Sequence, residues 1–232
     1  MTDYPRIVEP EWLDDLPSSD PRALSSRRDL ARLNAVMLQP RLMGRMLKAV
    51  PRADPPRTIL DLGSGDGVFM LRVAASLSKH WPGVTLFLLD RQACSNPDLR
   101  TRFARFGWTA EPVAMDVFDF LKSTRWADII TANLFLHHFS SEPLAQLLAL
   151  AAQRTRLFAA CEPRRAPLAL GGSRLVGLLG CNAVTRHDAV ASVRAGFRGR
   201  ELSALWPDGP GWRLSEHRAG LFSHGFTACH AD

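Results

Sequence analysis

The sequence has no apolar run long enough to cross a membrane. A spanning helix needs roughly 20 consecutive apolar residues, and charged or polar residues interrupt every such window of this 232-residue chain. The N-terminal segment is acidic and broken by prolines, whereas an export signal begins with basic residues that lead into an apolar stretch. We therefore expect a cytoplasmic protein with no membrane span.

Cysteine and lysine are also scarce. The four cysteines show no C-x-x-C spacing, which favours reduced thiols; they are Cys94, Cys161, Cys181 and Cys229. The formal net charge is +6, but only three of the 29 basic residues are lysines, and the arginines are spread along the chain. A nucleic-acid-binding face would need clustered basic residues interleaved with aromatics. We therefore do not expect a nucleic-acid partner.

What the sequence does contain, after residue 57, is an alternation of short apolar strands with helices. It predicts strand 58–62, helix 68–79, strand 84–89, a helix opening near Pro97, strand 112–115, strand 128–132, helix 143–153 and strand 157–160. Such alternation requires crossover connections and predicts a mostly parallel sheet with helices on both faces. Before it, apolar residues at helical spacing predict two short helices within residues 21–50, separated at Pro40.

The C-terminal part has a different pattern. Residues 168–200 read as helices broken by glycines, and two strands are predicted near 212–218 and 222–230. Only three residues separate these strands, so they should form an antiparallel hairpin that closes the edge of the sheet. The chain length and the 46% hydrophobic content favour one domain with one substantial core.

Three glycines at alternate positions follow the first predicted strand, in the segment TILDLGSGDGVF of residues 58–69. Gly63, Gly65 and Gly67 allow the backbone to bend and a ligand to approach its amides closely. In an open parallel sheet, ligands bind beyond the carboxyl ends of the strands. The spacing is neither that of a dinucleotide fingerprint nor that of a P-loop, which would continue with a lysine and a hydroxyl residue.

Three aspartates narrow the choice of ligand. Asp66 lies within the glycine-rich loop, where a carboxylate suits a cationic ligand better than a pyrophosphate. Asp90 ends the second strand, where an acid can accept hydrogen bonds from both ribose hydroxyls. Asp116 follows the third strand and could receive the exocyclic amine of an adenine. A ligand with adenine, ribose and a positively charged amino-acid tail satisfies all three positions.

Together these motifs resemble the class I S-adenosylmethionine-dependent methyltransferases. The resemblance rests on ILDLGSGDG, on Asp90 and Asp116, and on ADIITANLFLHHF for the fourth strand and the helix after it. NLFLHHF is similar to the small-molecule and polyketide-type members. The resemblance implies a Rossmann-like methyltransferase fold, a mostly parallel doubly wound sheet with a terminal hairpin. It also implies the cofactor S-adenosylmethionine, with S-adenosylhomocysteine as product.

The resemblance further implies a division of the single domain 1–232 and a set of cofactor-binding residues. A helical cap would cover residues 1–50, the cofactor-binding core 56–163, an inserted helical lid 164–210 and the hairpin 211–232. The implied cofactor-binding residues are Asp61, Gly63, Ser64, Gly65, Asp66, Gly67, Asp90, Arg91, Asp116, Val117 and Asn133. Purely structural roles stay open, because acids at strand ends commonly bond the amides of a turn.

The four residues that begin at Asn133 indicate which methyl acceptors are expected. They read NLFL, whereas members of this family that methylate nucleobase or glutamine amide nitrogens have an asparagine-proline-proline-aromatic tetrapeptide. Hydroxyl, carboxyl, thiol and carbon acceptors remain open. The sequence therefore predicts O-methylation of a small apolar or phenolic metabolite. The alternatives are a methyltransferase for RNA or protein, and a non-catalytic module that binds S-adenosylmethionine.

Two histidines are the candidate catalytic residues. His138 and, secondarily, His137 lie nearest the expected point of methyl transfer, where either could act as general base for an acceptor that must lose a proton. Their structural alternatives are packing and capping of the next helix. His224 is a weaker candidate. We expect no metal site, because the magnesium-dependent relatives need carboxylates near Asn133, which stands alone there.

A few remaining residues have both functional and structural interpretations. Glu162 could hold a substrate, but a salt bridge to Arg164 or Arg165 is favoured. Four large residues could line a substrate cavity, but their spacing is more typical of core positions; they are Met37, Met43, Met46 and Trp206.

Overall fold

Seven strands form a single sheet in the computed structural model, which describes residues 4–17, 19–48, 54–92, 96–123 and 125–230. They are β1 (Thr58–Leu62), β2 (Thr85–Asp90), β3 (Thr109–Ala114), β4 (Ile129–Asn133), β5 (Leu157–Pro163), β6 (Trp212–Ala219) and β7 (Ser223–His230). Their order is β3-β2-β1-β4-β5-β7-β6. Strands β1 to β5 are parallel, and β7 is antiparallel to β5 and β6. The predicted fold class is confirmed. Cys94 lies outside the described residues.

Ten α-helices occur among the described residues. They are α1 (Trp12–Asp15), α2 (Pro21–Val36), α3 (Gln39–Leu47), α4 (Val68–Leu77), α5 (Leu99–Ala104), α6 (Val117–Lys122), α7 (Ser141–Ala152), α8 (Pro167–Arg174), α9 (Ala183–Ala195) and α10 (Glu201–Leu205). Three of them, α1, α6 and α10, have no counterpart among the helices predicted individually from the sequence, because four to six residues are too few to show a helical period. None of the described helices is both long and apolar enough to span a membrane.

Two apolar cores cover the two faces of the sheet. Side chains alternate along β1, so Ile59 enters one core while Leu60 and Leu62 enter the other. The candidate lining residues are core residues: Met43 and Met46 lie in the first core, Trp206 lies in the second, and Met37 packs against a small third cluster. Their spacing therefore reflected packing, as favoured from the sequence.

Helices from the N-terminal segment and from the insertion before β6 contact each other. The backbone amides of Trp12 and Leu13 in α1 donate to the Asp188 carboxylate of α9, at 2.9 and 3.0 Å. The carboxylate of Asp29 in α2 accepts from the backbone amide of Asn182, at 2.8 Å, just before α9. These bonds link segments that lie more than 150 residues apart in the chain.

Candidate functional site

A cavity of about 490 Å³ opens at the carboxyl ends of β1, β2 and β4. Its floor consists of the loop after β1, and residues of α1, α2 and α9 contribute to its other walls. The predicted residues that line it are Asp61, Gly63, Ser64, Gly65, Asp66, Asp90, Arg91, Asp116, Val117, Asn133, His137 and His138. Among the predicted cofactor residues, Gly67 alone is not in this lining. The structure therefore brings together a set that spans 78 positions of the sequence, from Asp61 to His138.

The glycine-rich loop has a backbone that L-residues with side chains rarely adopt. Gly63, Gly65 and Gly67 have φ angles of +67°, +55° and +72°. A Cβ atom on Gly63 would lie 2.2 Å from Cδ2 of Phe135, so this glycine permits close packing against the segment after β4. A Cβ atom on Gly65 would meet no other atom within 4 Å, because this glycine faces open space in the cavity. The loop thus provides an unobstructed surface at Gly65.

Three of the predicted acids also hold the loops that carry them. The Asp90 carboxylate accepts from the backbone amides of Gly65 and Gln92, both at 2.9 Å. Asp66 accepts from the Val68 amide at 3.0 Å, and Asp116 caps α6 by accepting from the Phe118 amide at 2.8 Å. These acids therefore do bond the amides of turns, the structural role that the sequence left open. The same carboxylates also line the cavity.

Asp61 and Asn133 line the cavity, and each has a polar group in an unfavourable environment. Asp61 is buried, and burial raises the pKa of its carboxyl to about 7, although a hydrogen bond from the Thr131 hydroxyl at 2.7 Å partly opposes this shift. The Oδ1 atom of Asn133 is buried and has no hydrogen-bond partner among the described residues. Buried polar atoms are normally satisfied, and this oxygen belongs to a residue that lines the cavity, so it is free to accept a hydrogen bond from a ligand.

The chain turns sharply after Asn133. Leu134 has a φ of +52°, an uncommon conformation for a residue with a side chain, and its amide donates to the Cys161 carbonyl at 3.1 Å. A short 3₁₀ helix, Leu136–His138, comes next. Such strained conformations cluster at functional sites and persist only where the surroundings fix them.

Glu162, at the end of β5, fixes this turn. It is fully buried, and its carboxylate accepts from the backbone amides of Phe135 and Leu136, both at 3.0 Å, and from Nδ1 of His137 at 2.8 Å. The predicted salt bridge to Arg164 or Arg165 is wrong. Both carboxylate oxygens of Glu162 are engaged by the turn after β4, and Arg165 pairs with Glu201 instead.

His137 bridges two carboxylates. Its Nδ1 atom contacts Glu162, and its Nε2 atom lies 3.1 Å from Oε1 of Glu11. Carboxylate oxygens only accept hydrogen bonds, so both ring nitrogens donate and the ring is an imidazolium. Burial alone would lower the pKa of His137, but the hydrogen bonds to Glu11 and Glu162 raise it to about 9. A ring that already holds both protons cannot accept another, so the predicted base role of His137 does not fit the structure.

His138 has a different environment. Its Nδ1 atom donates to the Phe135 carbonyl at 2.9 Å, while Nε2 lies 3.4 Å from Oε2 of Glu11 and 3.7 Å from Oδ2 of Asp14. The side chain is 25% exposed and lines the cavity. His138 thus lines the cavity with its Nε2 atom beside the Glu11 and Asp14 carboxylates, and its role as general base stays a prediction. His224, by contrast, is buried against Glu216 at 2.7 Å and does not line this cavity.

The sequence-based prediction missed the acids of the N-terminal segment. Glu11 and Asp14 line the cavity next to the two histidines, although His137 follows Glu11 by 126 positions. The hydroxyl of Ser192 in α9 donates to Glu11 as well. Hydrogen bonds with His137 and His138 offset the burial of Glu11 and hold the pKa of its carboxyl well below the usual range. The only signal in the sequence was the acidic segment EPEWLDD, which by itself is typical of a solvated surface.

Comparisons with known proteins bear on the fold. No protein-family model matches the chain, and no curated protein sequence matches it. Among solved structures, the plantazolicin methyltransferase BpumL in complex with SAH aligns over 91% of both chains, with a TM-score of 0.66 and 13% identity. The chain has the fold of a methyltransferase.

Two further structures are similar to the chain over a part of their length. An O-methyltransferase family protein from Burkholderia thailandensis aligns with 93% of this chain and 61% of its own, at a TM-score of 0.56 and 16% identity. The mitomycin 7-O-methyltransferase MmcR aligns with 94% of this chain and 60% of its own, at a TM-score of 0.55 and 17% identity. The chain therefore spans about three fifths of these two proteins, and identities this low concern the fold.

Proposed function

We propose that the protein is an S-adenosylmethionine-dependent methyltransferase that acts on an oxygen atom of a small, largely apolar or phenolic molecule. The observation that carries this proposal is the single cavity that joins the glycine-rich loop and Asp90 to Asn133 and His138. The glycine-rich loop and Asp90 would hold the cofactor. Asn133 and His138 lie where a bound acceptor would be expected. Similar structures that contain SAH support the choice of cofactor.

The residues present fit this cofactor. Gly65 leaves open space for a ligand to approach the loop, and the Asn133 Oδ1 atom needs a donor. Asp61 is a buried acid with a raised pKa, and a cationic amino group nearby would stabilise its ionised form. Asp90 and Asp116 provide carboxylate oxygens at the positions expected for the ribose and the adenine. These features suit a ligand with one positive end and several hydrogen-bond donors.

Methyl transfer from a sulfonium depends more on the alignment of the reacting atoms and the exclusion of water than on acid–base catalysis. When bound, the cofactor supplies an electrophilic methyl group on a sulfonium. The protein would have to align an acceptor oxygen with that methyl group and provide a route for the hydroxyl proton to leave. Beside the turn at Leu134, the rings of Phe135 and Phe139 pack edge to face with centroids 5.2 Å apart, and both residues line this region. In the metal-free protein, we propose Nε2 of His138 as the acceptor of the proton.

We favour a small acceptor because the site is a cavity of about 490 Å³ whose wall includes residues of the N-terminal segment and of α9. These residues are Glu11, Asp14 and Ser192. The acceptors named with the similar structures are plantazolicin analogues and mitomycin.

The test is methyl transfer from radiolabelled S-adenosylmethionine to separate pools of small phenols, bulk tRNA and cell protein. We expect label in the small-molecule pool only, and no label with the Gly65→Val variant, whose side chain would fill the open space at the loop. Label in tRNA or protein would favour a macromolecular acceptor. Binding of the cofactor with no label in any pool would favour a non-catalytic module.

A further inference from the structure

Three side chains that the proposed methyl transfer does not fully explain converge at the wall of the cavity. They are Glu11, His137 and His138, and each offers one potential ligand atom, with all three of these atoms within 4.8 Å of one another. They come from the N-terminal segment and from the 3₁₀ helix after β4, so only the folded chain brings them together. Two imidazoles and one carboxylate are a ligand set typical of divalent transition metals.

The separations fit a shared ion. A four-coordinate zinc ion binds nitrogen and oxygen at about 2.0 to 2.1 Å, which places neighbouring ligand atoms about 3.3 Å apart. Of the two Glu11 oxygens, Oε1 lies 3.1 Å from Nε2 of His137, and Oε2 lies 3.4 Å from Nε2 of His138. A second carboxylate oxygen, Oδ2 of Asp14, lies 3.7 Å from Nε2 of His138 and could complete the set.

Each of the three groups also has the outer partner that a metal ligand needs. Ligating histidines usually donate their other ring N–H to a carboxylate or a backbone carbonyl, which fixes the ring and directs the remaining lone pair at the metal. Here Nδ1 of His137 donates to Glu162, and Nδ1 of His138 donates to the Phe135 carbonyl. The Glu11 carboxylate accepts from the Ser192 hydroxyl. Both Nε2 atoms therefore point at the same carboxylate.

We propose that Glu11, His137 and His138 form a binding site for a borderline divalent metal ion such as Zn²⁺, with Asp14 as a further oxygen ligand. This differs from the expectation of no metal, which considered only carboxylates adjacent to Asn133. Binding displaces the Nε2 proton of His137, because an imidazole ligates through a lone pair. The site uses the same Nε2 of His138 as the general-base role, so the two roles are alternatives for that atom.

The consequence for catalysis rests on the proposed function, but metal binding itself does not. An ion held here faces the part of the cavity assigned to the acceptor, where it would coordinate the acceptor oxygen and favour loss of its proton to water. Magnesium and calcium prefer oxygen ligands, so a site with two imidazoles should discriminate against both.

The experiment is a calorimetric titration of untagged, chelator-treated protein with ZnCl₂. We expect one ion bound per chain, release of protons that makes the measured heat depend on the buffer, and no heat with MgCl₂. Co²⁺ bound at the same site should give visible absorption bands that added Zn²⁺ removes.

Variants locate the site. Glu11→Gln and His138→Gln should each weaken Zn²⁺ binding by at least about 100-fold, and Ser192→Ala, which removes only an outer partner, by about 10- to 100-fold. His217→Gln is the matched control, because His217 is exposed on β6 and does not line the cavity. Thermal melting of each variant shows whether it is folded, and His138, which is partly exposed, is the substitution least disruptive to packing.

The proposal is overturned if wild-type protein binds no Zn²⁺, or if Glu11→Gln and His138→Gln bind it as tightly as His217→Gln. Titration of the metal-free protein with S-adenosylhomocysteine separates this result from the proposed function. Cofactor binding without metal binding would refute the metal site and leave His138 as the base. Metal binding without cofactor binding would refute the proposed function and keep the site.

Discussion

Replacing Gly63 by alanine should destabilise the fold, whereas the same change at Gly65 should be mild. Both glycines have positive φ angles, +67° and +55°, so alanine introduces about 1 to 2 kcal/mol of backbone strain at either position. At Gly63 the new Cβ would also lie 2.2 Å from Cδ2 of Phe135, far inside the normal contact distance, and such overpacking adds about 1 to 3 kcal/mol. At Gly65 no atom lies within 4 Å.

The expected losses are therefore about 2 to 5 kcal/mol for Gly63→Ala and about 1 to 2 kcal/mol for Gly65→Ala. In a chain of this size, each kcal/mol lowers Tm by roughly 2 to 4 °C, so thermal and urea denaturation resolve the difference. The matched pair isolates the contact with Phe135, because the backbone strain is similar in both variants. Equal losses in the two variants, or a neutral Gly63→Ala, would refute the packing of the loop against the segment after β4.

Three further predictions concern charged residues of the site. Glu162→Gln should lower the free energy of unfolding by about 3 to 5 kcal/mol in urea denaturation, since it leaves the buried His137 cation without one carboxylate; an unchanged midpoint would contradict this. The carboxyl of Asp61 has a pKa raised from 3.8 to about 7 in the folded protein. The free energy of unfolding of the wild-type protein should therefore be highest below pH 4 and decline by up to about 4 kcal/mol as the pH rises to 7. Asp61→Asn should remove that decline, and parallel pH profiles of the two proteins would count against the raised pKa. Asp90→Ala should weaken S-adenosylhomocysteine binding by roughly 10- to 100-fold in calorimetry, and an unchanged Kd would place the ribose elsewhere.

The core of the fold followed from local patterns in the sequence. The alternation of apolar strands and helices predicted the parallel sheet, and the three residues between the last two strands predicted the hairpin. The glycine-rich loop and Asp90 were predicted to lie together because the carboxyl ends of neighbouring parallel strands share one edge, and Gly65 does contact Asp90. In each case, residues close in sequence or in strand order carry the information.

The acidic and histidine-containing wall of the cavity could not be predicted in the same way. Glu11 contacts His137 because α1 packs on α9, and no periodic pattern within α1 predicts that contact. Glu162 was assigned to nearby arginines, whereas its partners are the amides and the imidazole of the turn after β4. Tertiary contacts of this kind depend on the arrangement of whole elements, which local spacing does not encode.

We expect the cavity to bind S-adenosylmethionine and its demethylated product. Calorimetric titration of the full chain with S-adenosylhomocysteine tests this expectation most directly, because binding of the product requires no acceptor. We predict one site per chain and, at about a hundredfold excess over Kd, an increase of roughly 2 to 3 kcal/mol in the free energy of unfolding. Gly65→Val should abolish the heat of binding while the variant remains folded. Absence of both heat and thermal stabilisation with the wild-type protein at millimolar ligand would contradict the account.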